Sequence, residues 1–225
     1  KYIADLLQNK REGVFVDIGA YDGVTFSNTL VFEKELGWTG ICVEPNPVAF
    51  EKLAEERNCI CLNYCINDKE GTFKFLAVKG WGVMLSGLLD FFDQKHLDRI
   101  DRTIEEHGGS KSVIEIPALP MHEILRRNSI KHVDYCNIDV EGGEMSVLKS
   151  IDFSAVTIKL FTIENNYSTT VVSDFLKSHG YSLIGKVGAD DVFELHSKRY
   201  MQILKLQLKA ILGNVKRMIK RIIKK

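Results

Sequence analysis

The chain has 225 residues, of which 45% are hydrophobic and 27% are charged, a composition typical of one globular domain with a sizeable core. Its 30 Lys and Arg balance its 30 Asp and Glu, but eight of the basic residues and no acidic residue lie in 200–225. The remaining body holds 22 basic against 30 acidic residues, a net charge of −8, which argues against nucleic acid as its partner because phosphate binding needs a basic surface.

Apolar runs in the body alternate between buried strands and amphipathic helices. In chain order they predict a helix at 2–9, a strand at 13–18, a helix at 25–36, a strand at 40–44, a helix at 47–57, a strand at 59–66, a hairpin at 70–78, a loop at 80–87, a helix at 90–107, a strand at 113–117, a helix at 121–127, a strand at 133–140, a helix at 144–150, a strand at 157–164, a helix at 171–179 and a terminal hairpin of 181–187 with 191–196. Such alternation implies an α/β fold with a doubly wound, mostly parallel sheet of seven strands that ends in an antiparallel hairpin. In this fold a ligand lies beyond the carboxyl ends of the strands.

The first strand ends in the motif Asp17-x-Gly19-Ala20-x-x-Gly23. Glycines at such a turn let the backbone approach a ligand closely, and the following helix offers free N–H groups. A dinucleotide site prefers glycine at the position of Ala20, and Asp22 would repel a pyrophosphate. The motif therefore favours a cofactor with an amino-acid tail and a free ammonium group, against the alternative of an ordinary strand–helix turn.

Glu44 ends the second strand, 21 residues after Gly23. A carboxylate at this spacing can accept both hydroxyls of an adenosine ribose, although a solvated strand-end acid is the alternative. Asn67 and Asp68 follow the third strand, where the edge of an adenine base would be reached. Asn and Asp are also common turn residues, so both interpretations of this pair stay open.

Acidic residues also follow two later strands of the predicted sheet. Asp139 and Glu141 lie two apart and would face the same side, where they could orient a sulfonium, bind acceptor hydroxyls or take a proton. With Glu164 they are the predicted catalytic residues, and the same three would be the ligands of a divalent cation if one is used. Glu144 is either an acceptor contact or a first-turn helix acid, and Asn165 is predicted to form part of the acceptor wall.

Six histidines lie away from the strand ends, and we expect each to be a surface or packing residue; His96 and His107 are the two that a flap could bring to the site. The odd number of cysteines in apolar stretches predicts free, buried thiols in a reducing, cytoplasmic compartment. Zinc at Cys59, Cys61 and Cys65 is not favoured, because no histidine lies beside them.

Four strings, VFVDIGAYDGVTFSNT, ICVEPNP, CINDKEG and VDYCNIDVEGGEMSVLKSIDF, resemble the FkbM-type methyltransferase family in order and spacing, over about residues 13–195. The resemblance implies a Rossmann-like class I fold that uses S-adenosylmethionine to methylate hydroxyl groups, usually on sugars or other natural products. It places methyl transfer at Asp139 and Glu141. The predicted cofactor site comprises Asp17, Gly19, Ala20, Tyr21, Gly23, Ser27, Glu44, Pro45, Asn46, Asn67, Asp68 and Asp139, and the predicted acceptor site comprises Ser86, Glu141, Glu144 and Asn165.

The resulting interpretation is an S-adenosylmethionine-dependent O-methyltransferase domain at 1–198. Two alternatives remain. A nicotinamide-dependent oxidoreductase is disfavoured by Ala20 and Asp22. A non-catalytic scaffold would give the acidic residues at the strand ends no function.

Residues 199–225 are predicted to form a basic amphipathic helix, with an apolar stripe on one face and most of its eight basic residues on the other. Residues 201–225 would lie on an anionic membrane surface, pair with a second copy of the chain, or pack on their own domain. No signal peptide or spanning segment is visible.

Overall fold

The computed structural model describes residues 2–166 and 169–196. The helix predicted at 199–225, with its membrane and dimer contacts, lies outside these residues. The described elements, in chain order, are α1 (Tyr2–Leu6), β1 (Val14–Ile18), α2 (Leu30–Leu36), β2 (Thr39–Val43), α3 (Pro47–Glu56), β3 (Ile60–Leu62), β4 (Cys65–Ile66), β5 (Gly71–Lys79), a 3-10 turn (Val83–Leu85), β6 (Gly87–Leu88), a second 3-10 turn (Leu89–Phe91), α4 (Gln94–His107), β7 (Ser110–Leu119), α5 (Met121–Arg127), β8 (His132–Ile138), α6 (Glu144–Lys149), β9 (Thr157–Glu164), α7 (Val171–Ser178), β10 (Tyr181–Val187) and β11 (Asp190–Leu195).

The main sheet has seven strands in the order β10-β11-β9-β8-β1-β2-β3. Strands β3, β2, β1, β8 and β9 are parallel, and β11 pairs antiparallel with both β9 and β10. The predicted doubly wound, mostly parallel fold with a terminal hairpin is therefore confirmed. The chain builds outward from β1 to β3 and then returns to β8 on the other side of β1. This reversal opens a crevice beyond the carboxyl ends of β1 and β8.

Two apolar layers cover the sheet, one on each face. On one face, Val16 and Ile18 of β1 belong to a cluster that α5, α6 and α7 complete. On the other face, Phe15 belongs to a cluster with residues of α1, α2 and α3. Consecutive side chains of a strand point to opposite faces, so a strand covered on both sides is apolar at nearly every position. Complete burial of a side chain such as Phe15 stabilises the fold by roughly 1.5–3 kcal/mol.

A second sheet of four strands, in the order β4-β7-β5-β6, was not predicted. The hairpin predicted at 70–78 is wrong, because β5 pairs along its whole length with β7. The single strand predicted at 59–66 is also wrong: β3 belongs to the main sheet and β4 to the second sheet. Apolar side chains that alternate along a segment show that it is extended, but the alternation does not identify the distant strand with which the segment pairs.

The helix predicted at 25–36 begins only at Leu30, so residues 19–29 form a long loop after β1. Side chains of the loop satisfy backbone donors that a helix would use. The Asp22 carboxylate accepts from the N–H groups of Val24 and Thr25, and the Ser27 hydroxyl accepts from the N–H of Leu30. Local bonds of this kind compete with helix formation.

All five cysteines lie in the described residues and are free thiols, as predicted. Cys42, Cys65 and Cys136 are buried, whereas Cys59 and Cys61 are only half-buried. Within the ranges that the structure covers, no helix is long and apolar enough to cross a membrane.

Candidate active site

A cleft of about 390 Å³ lies beyond the carboxyl ends of β1, β2 and β8, with β4, β5 and β6 of the second sheet contributing further walls. This volume falls in the range of pockets that hold small molecules. The structure brings ten of the predicted site residues together in its lining: Asp17, Gly19, Ala20, Tyr21, Ser27, Glu44, Pro45, Ser86, Asp139 and Glu141.

The turn after β1 forms the floor of the cleft. Gly19 has a φ of +83°, and a Cβ at this position would lie 1.7 Å from the backbone oxygen of Asp139. The N–H groups of Gly19 and Ala20 both donate to the Val43 oxygen, at 2.9 and 3.1 Å. Tyr21 also has a positive φ, of 51°. The glycine therefore allows the ends of β1 and β8 to meet closely, whereas the motif predicted a close approach to a ligand.

Gly23 does not line the cleft but lets the loop pack on α3. A Cβ at Gly23 would lie 2.7 Å from Arg57 Cγ. The Arg57 side chain is fully buried and donates to Gly23 O at 3.2 Å, Ser27 Oγ at 3.3 Å, Thr29 Oγ1 at 3.0 Å and Glu33 Oε2 at 2.7 Å. Arg57 thus ties the loop to α3. No local signal marks it in the sequence, where it is one more basic residue at a helix end.

Asp17 is buried beneath the same loop, and both of its carboxylate oxygens have a partner. Thr29 Oγ1 donates to Oδ2 at 2.6 Å, and Asn137 Nδ2 donates to Oδ1 at 2.9 Å. Burial raises the pKa of Asp17, whereas these two hydrogen bonds favour its charged form. Asp17 therefore anchors the loop as well as lining the cleft. Asp22, which was expected to repel a pyrophosphate, does not line the cleft. Its carboxylate instead accepts a hydrogen bond from the Thr25 N–H within the loop.

Glu44 lies at the end of β2 with a 7% exposed side chain. Its Oε2 accepts from the Tyr21 N–H at 2.9 Å, and its Oε1 accepts from the Asn46 N–H at 2.7 Å. Burial raises the pKa of Glu44 to about 7, although these hydrogen bonds favour the charged form. A carboxylate has about four acceptor positions, so two remain for hydroxyl groups of a ligand.

Asn46 is buried and does not line the cleft. Its Oδ1 caps α3 by accepting from the Val48 N–H, and its Nδ2 donates to Val78 O at 3.0 Å and to Ser86 Oγ at 2.9 Å. Ser86 itself lines the cleft. Asn46 therefore fastens the second sheet to the end of β2.

Asn67 and Asp68 are also absent from the cleft lining. Asn67 Oδ1 accepts from the Ser146 hydroxyl and from the Asp68 N–H, so its amide oxygen is used within the fold. The chain has left the main sheet before this point and entered the second sheet. Tyr64 and Cys65, just before this pair in the chain, line the cleft.

Three acidic side chains meet where β8 and β9 end. One carboxylate oxygen from each of Asp139, Glu141 and Glu164 lies within 4.8 Å of the others. Burial, with the neighbouring negative charges, raises the pKa of Asp139 and that of Glu164, and raises the pKa of Glu141 to about 8. Like charges held this close favour retaining a proton among them. The cluster can therefore share or accept a proton near neutral pH, or bind a cation through oxygen ligands.

A second cavity, of about 570 Å³, adjoins the cleft and shares Phe91, Arg99 and Glu141 with it. The predicted acceptor residues Glu144 and Asn165 and the catalytic candidate Glu164 line this second cavity and not the cleft. The predicted site residues are thus divided between the cleft and the adjoining cavity, and Glu141 lines both.

His96 reaches this boundary from α4. It is buried and packs on Phe92 with 4.1 Å between ring centroids, in line with the expected packing role. Its Nε2 lies 3.0 Å from the Leu85 oxygen, and a carbonyl can only accept, so Nε2 carries the hydrogen. Its Nδ1 lies 3.6 Å from Glu141 Oε2. The sequence named His96 and His107 as the histidines that a flap could bring to the site, and of these two His96 lies near the carboxylates.

Comparisons with known proteins agree with this architecture. A profile of the methyltransferase FkbM domain matches residues 17–183. The structure of methyltransferase FkbM from Methylobacillus flagellatus KT is similar with a TM-score of 0.50 and 13% identity, over 81% of this chain and 43% of that chain. This likeness shows the fold alone, and the chain spans less than half the length of that protein.

Two further structures superpose too loosely to support an argument. The METTL16 MTase domain has a TM-score of 0.42 and 13% identity, over 85% of this chain and 63% of that chain. The human methyltransferase 10 domain containing protein has a TM-score of 0.40 and 12% identity, over 85% and 76%. A search of curated proteins finds no match to the sequence.

Proposed function

Because the chain belongs to the FkbM methyltransferase family, we propose that it transfers the methyl group of S-adenosylmethionine to a hydroxyl oxygen of a sugar, glycan or similar small-molecule acceptor. Membership of the family makes S-adenosylmethionine-dependent methyl transfer the class of reaction. The choice of oxygen and of the acceptor is our proposal. The observation that carries it is the cavity beside the cleft, with a cluster of proton-accepting carboxylates at the boundary.

The residues of the cleft fit S-adenosylmethionine. Glu44 retains acceptor positions for two ribose hydroxyls, and it lies beside the tight turn of Gly19. Asp17 and Asp139 lie near that turn, and a ligand that carries an ammonium and a sulfonium would favour the charged forms of both carboxyls. A pyrophosphate would meet the same carboxylates unfavourably. The charge of the lining therefore disfavours the nicotinamide alternative.

When bound, the cofactor supplies an electrophilic methyl group on its sulfonium. The walls of the second cavity hold the acceptor with its hydroxyl at the boundary, where Glu141 belongs to both spaces. Correct orientation of the reacting oxygen provides a large part of the rate in such a transfer. A hydroxyl must also lose its proton. With a pKa of about 8, Glu141 is a stronger base than an ordinary carboxylate, and its charged form, whose share grows as the pH rises through about 8, accepts that proton. Asp139 and Glu164 take part in holding that proton.

A divalent cation is a second candidate cofactor for the same cluster. The three carboxylate oxygens are close enough to bind one ion, and oxygen ligands are those that Mg²⁺ and Ca²⁺ prefer. A bound cation would lower the pKa of the acceptor hydroxyl instead of leaving the proton to a carboxylate. Methyl transfer measured with EDTA and with added Mg²⁺ distinguishes these two routes.

The proposal is tested first by calorimetry with S-adenosylmethionine and S-adenosylhomocysteine. We expect micromolar binding that is lost in Glu44→Ala and retained in Glu115→Ala, which removes an exposed acid from β7. NADH should not compete. Competition by NADH would favour the oxidoreductase, and no binding of any of these compounds would favour the scaffold.

The acceptor is then sought by transfer of labelled methyl groups to mono- and oligosaccharides. Glu141→Gln should retain binding of S-adenosylhomocysteine and lose methyl transfer, because the amide cannot take the proton. Glu115→Gln, the same change from acid to amide at an exposed position of β7 outside both cavities, is the matched control. Equal turnover of Glu141→Gln and the unmodified protein would contradict the role of the cluster.

We also propose that residues 201–225 attach the enzyme to an anionic membrane surface on the cytoplasmic side, or pair two copies of it. The basic residues and the apolar stripe of this segment support both ideas. Salt-sensitive co-sedimentation of the whole chain with vesicles that contain phosphatidylserine tests the first idea, and the sedimentation mass tests the second.

A further inference from the structure

The loop that follows β5 of the second sheet carries Trp81, a residue to which the proposed reaction assigns no role. Trp81 lines the cleft, yet it is 72% exposed, and among the described large hydrophobic side chains only Phe26 is more exposed. The other tryptophan of the chain, Trp38, is 3% exposed and lies in the core. Phe26 and Met84 are exposed in the same lining, and exposed apolar side chains that share one cleft are typical of a binding surface.

The loop of Trp81 is closely packed on its outer side. Gly80 has a φ of +89°, and a Cβ there would lie 3.0 Å from the Cα of Gly109. A Cβ at Gly82 would lie 3.2 Å from Thr103 Cγ2 of α4. The indole lies 5.3 Å from the ring of His107, measured between centroids. The backbone on both sides of Trp81 is therefore held by packing, and the His107 ring supports one side of the indole, which lowers the entropy that binding would cost.

The same loop is fixed beside the end of β2. Asn46 Nδ2 donates to Val78 O, ahead of the loop, and to Ser86 Oγ, at its end. The N–H of Asn46 donates to Glu44, the carboxylate that we assign to the ribose hydroxyls. The two ends of the loop are therefore held near Glu44. Trp81, at its start, lies beside His107 at the C-terminal end of α4, whereas Leu85, near its end, contacts His96, the residue of α4 that approaches the cluster.

We propose that Trp81 stacks on the adenine base of the cofactor and covers the nucleoside end of the cleft. This inference rests on the proposed function. Adenine is the one aromatic part of S-adenosylmethionine, and a base stacks favourably on an indole in an offset or tilted arrangement. The competing possibility is that Trp81 stacks on a ring of the acceptor.

Tryptophan fluorescence of the whole chain provides a test that does not depend on turnover. Titration with S-adenosylhomocysteine should change the emission of Trp81, with the same Kd as calorimetry. Methylthioadenosine, which keeps the nucleoside, should cause the same change, and homocysteine should cause none. Trp81→Phe leaves the buried Trp38 as the sole tryptophan and should abolish the change in emission while keeping the Kd within about threefold.

Trp81→Ala should raise the Kd for S-adenosylhomocysteine about tenfold, which corresponds to about 1.4 kcal/mol. Val113→Ala, which truncates an exposed apolar residue of β7 outside the cleft, is the control and should leave the Kd unchanged. Calorimetric binding with no change in Trp81 emission and an unaltered Kd in Trp81→Ala would refute the stacking and leave the proposed function intact. A response of Trp81 only to saccharide would also refute it. No calorimetric binding at all would refute both proposals.

Discussion

Affinity for S-adenosylhomocysteine should fall as the pH is lowered from 8 to 6, because Glu44 takes up a proton in that interval. The carboxylate is 7% exposed, and burial raises its pKa to about 7. Only the charged form offers acceptor positions on both oxygens to the ribose hydroxyls. About nine-tenths of the protein carries this form at pH 8 and about one-tenth at pH 6. The expected loss of affinity through Glu44 is therefore about tenfold, or about 1.4 kcal/mol.

The stability of the ligand-free protein should follow the opposite trend. The pKa of Glu44 is higher in the folded chain than its ordinary value of 4.5, so folding disfavours the charged form. The stabilising contribution of Glu44 to the free energy of unfolding is fully present below pH 4.5, and it is lost as the pH rises through about 7. The rise from 4.5 to about 7 corresponds to about 3 kcal/mol. Between pH 6 and pH 8, ligand-free stability should thus decrease while affinity increases.

Calorimetric titrations at pH 6, 7 and 8, with urea unfolding at the same pH values, measure both quantities. Glu44→Gln supplies the comparison, because it cannot titrate. The other carboxyls of the cleft titrate in both proteins, so the difference between the two pH profiles isolates Glu44. Parallel profiles for Glu44→Gln and the unmodified protein would show that Glu44 does not contact the ligand in its charged form.

Three further changes test the loop and the carboxylate cluster. Gly19→Ala should abolish cofactor binding while leaving the circular dichroism spectrum folded, because the new Cβ would lie 1.7 Å from the Asp139 backbone oxygen; retained calorimetric binding would contradict this geometry. Arg57→Met should lower the free energy of unfolding in urea by about 1–3 kcal/mol, because Gly23, Thr29 and Glu33 lose a buried donor while Glu33 keeps its bond from the Asn58 N–H, and Glu33→Gln in the same chain should restore part of that loss. Millimolar Mg²⁺ should raise the Tm at pH 8.5 if the cluster binds a cation, and Glu164→Gln should remove the rise; equal shifts in both proteins would point to binding elsewhere.

The parts of this protein that could be predicted from its sequence are those in which structure and chemistry lie close together along the chain. The buried strand before Asp17, the turn at Gly19 and the acid at Glu44 form a pattern within about thirty residues. The alternation of strands and helices then specified the main sheet, because a segment buried on both faces is apolar throughout and its crossovers are right-handed. Asp139 and Glu141 followed from their position at the end of another such strand.

Contacts between distant segments were decided only by the tertiary structure. Paired residues of β5 and β7 lie 31 to 47 positions apart in the sequence. The alternation of side chains shows that each segment is extended but does not identify its partner. Arg57 reaches Gly23, and His96 approaches Glu141, through the packing of α3 and α4, which no local pattern records. The acidic residues at the strand ends could therefore be predicted from short stretches of sequence. The walls of the cleft, the contacts that hold its loops and the division into two cavities arise from long-range packing, whose partners depend on the whole chain.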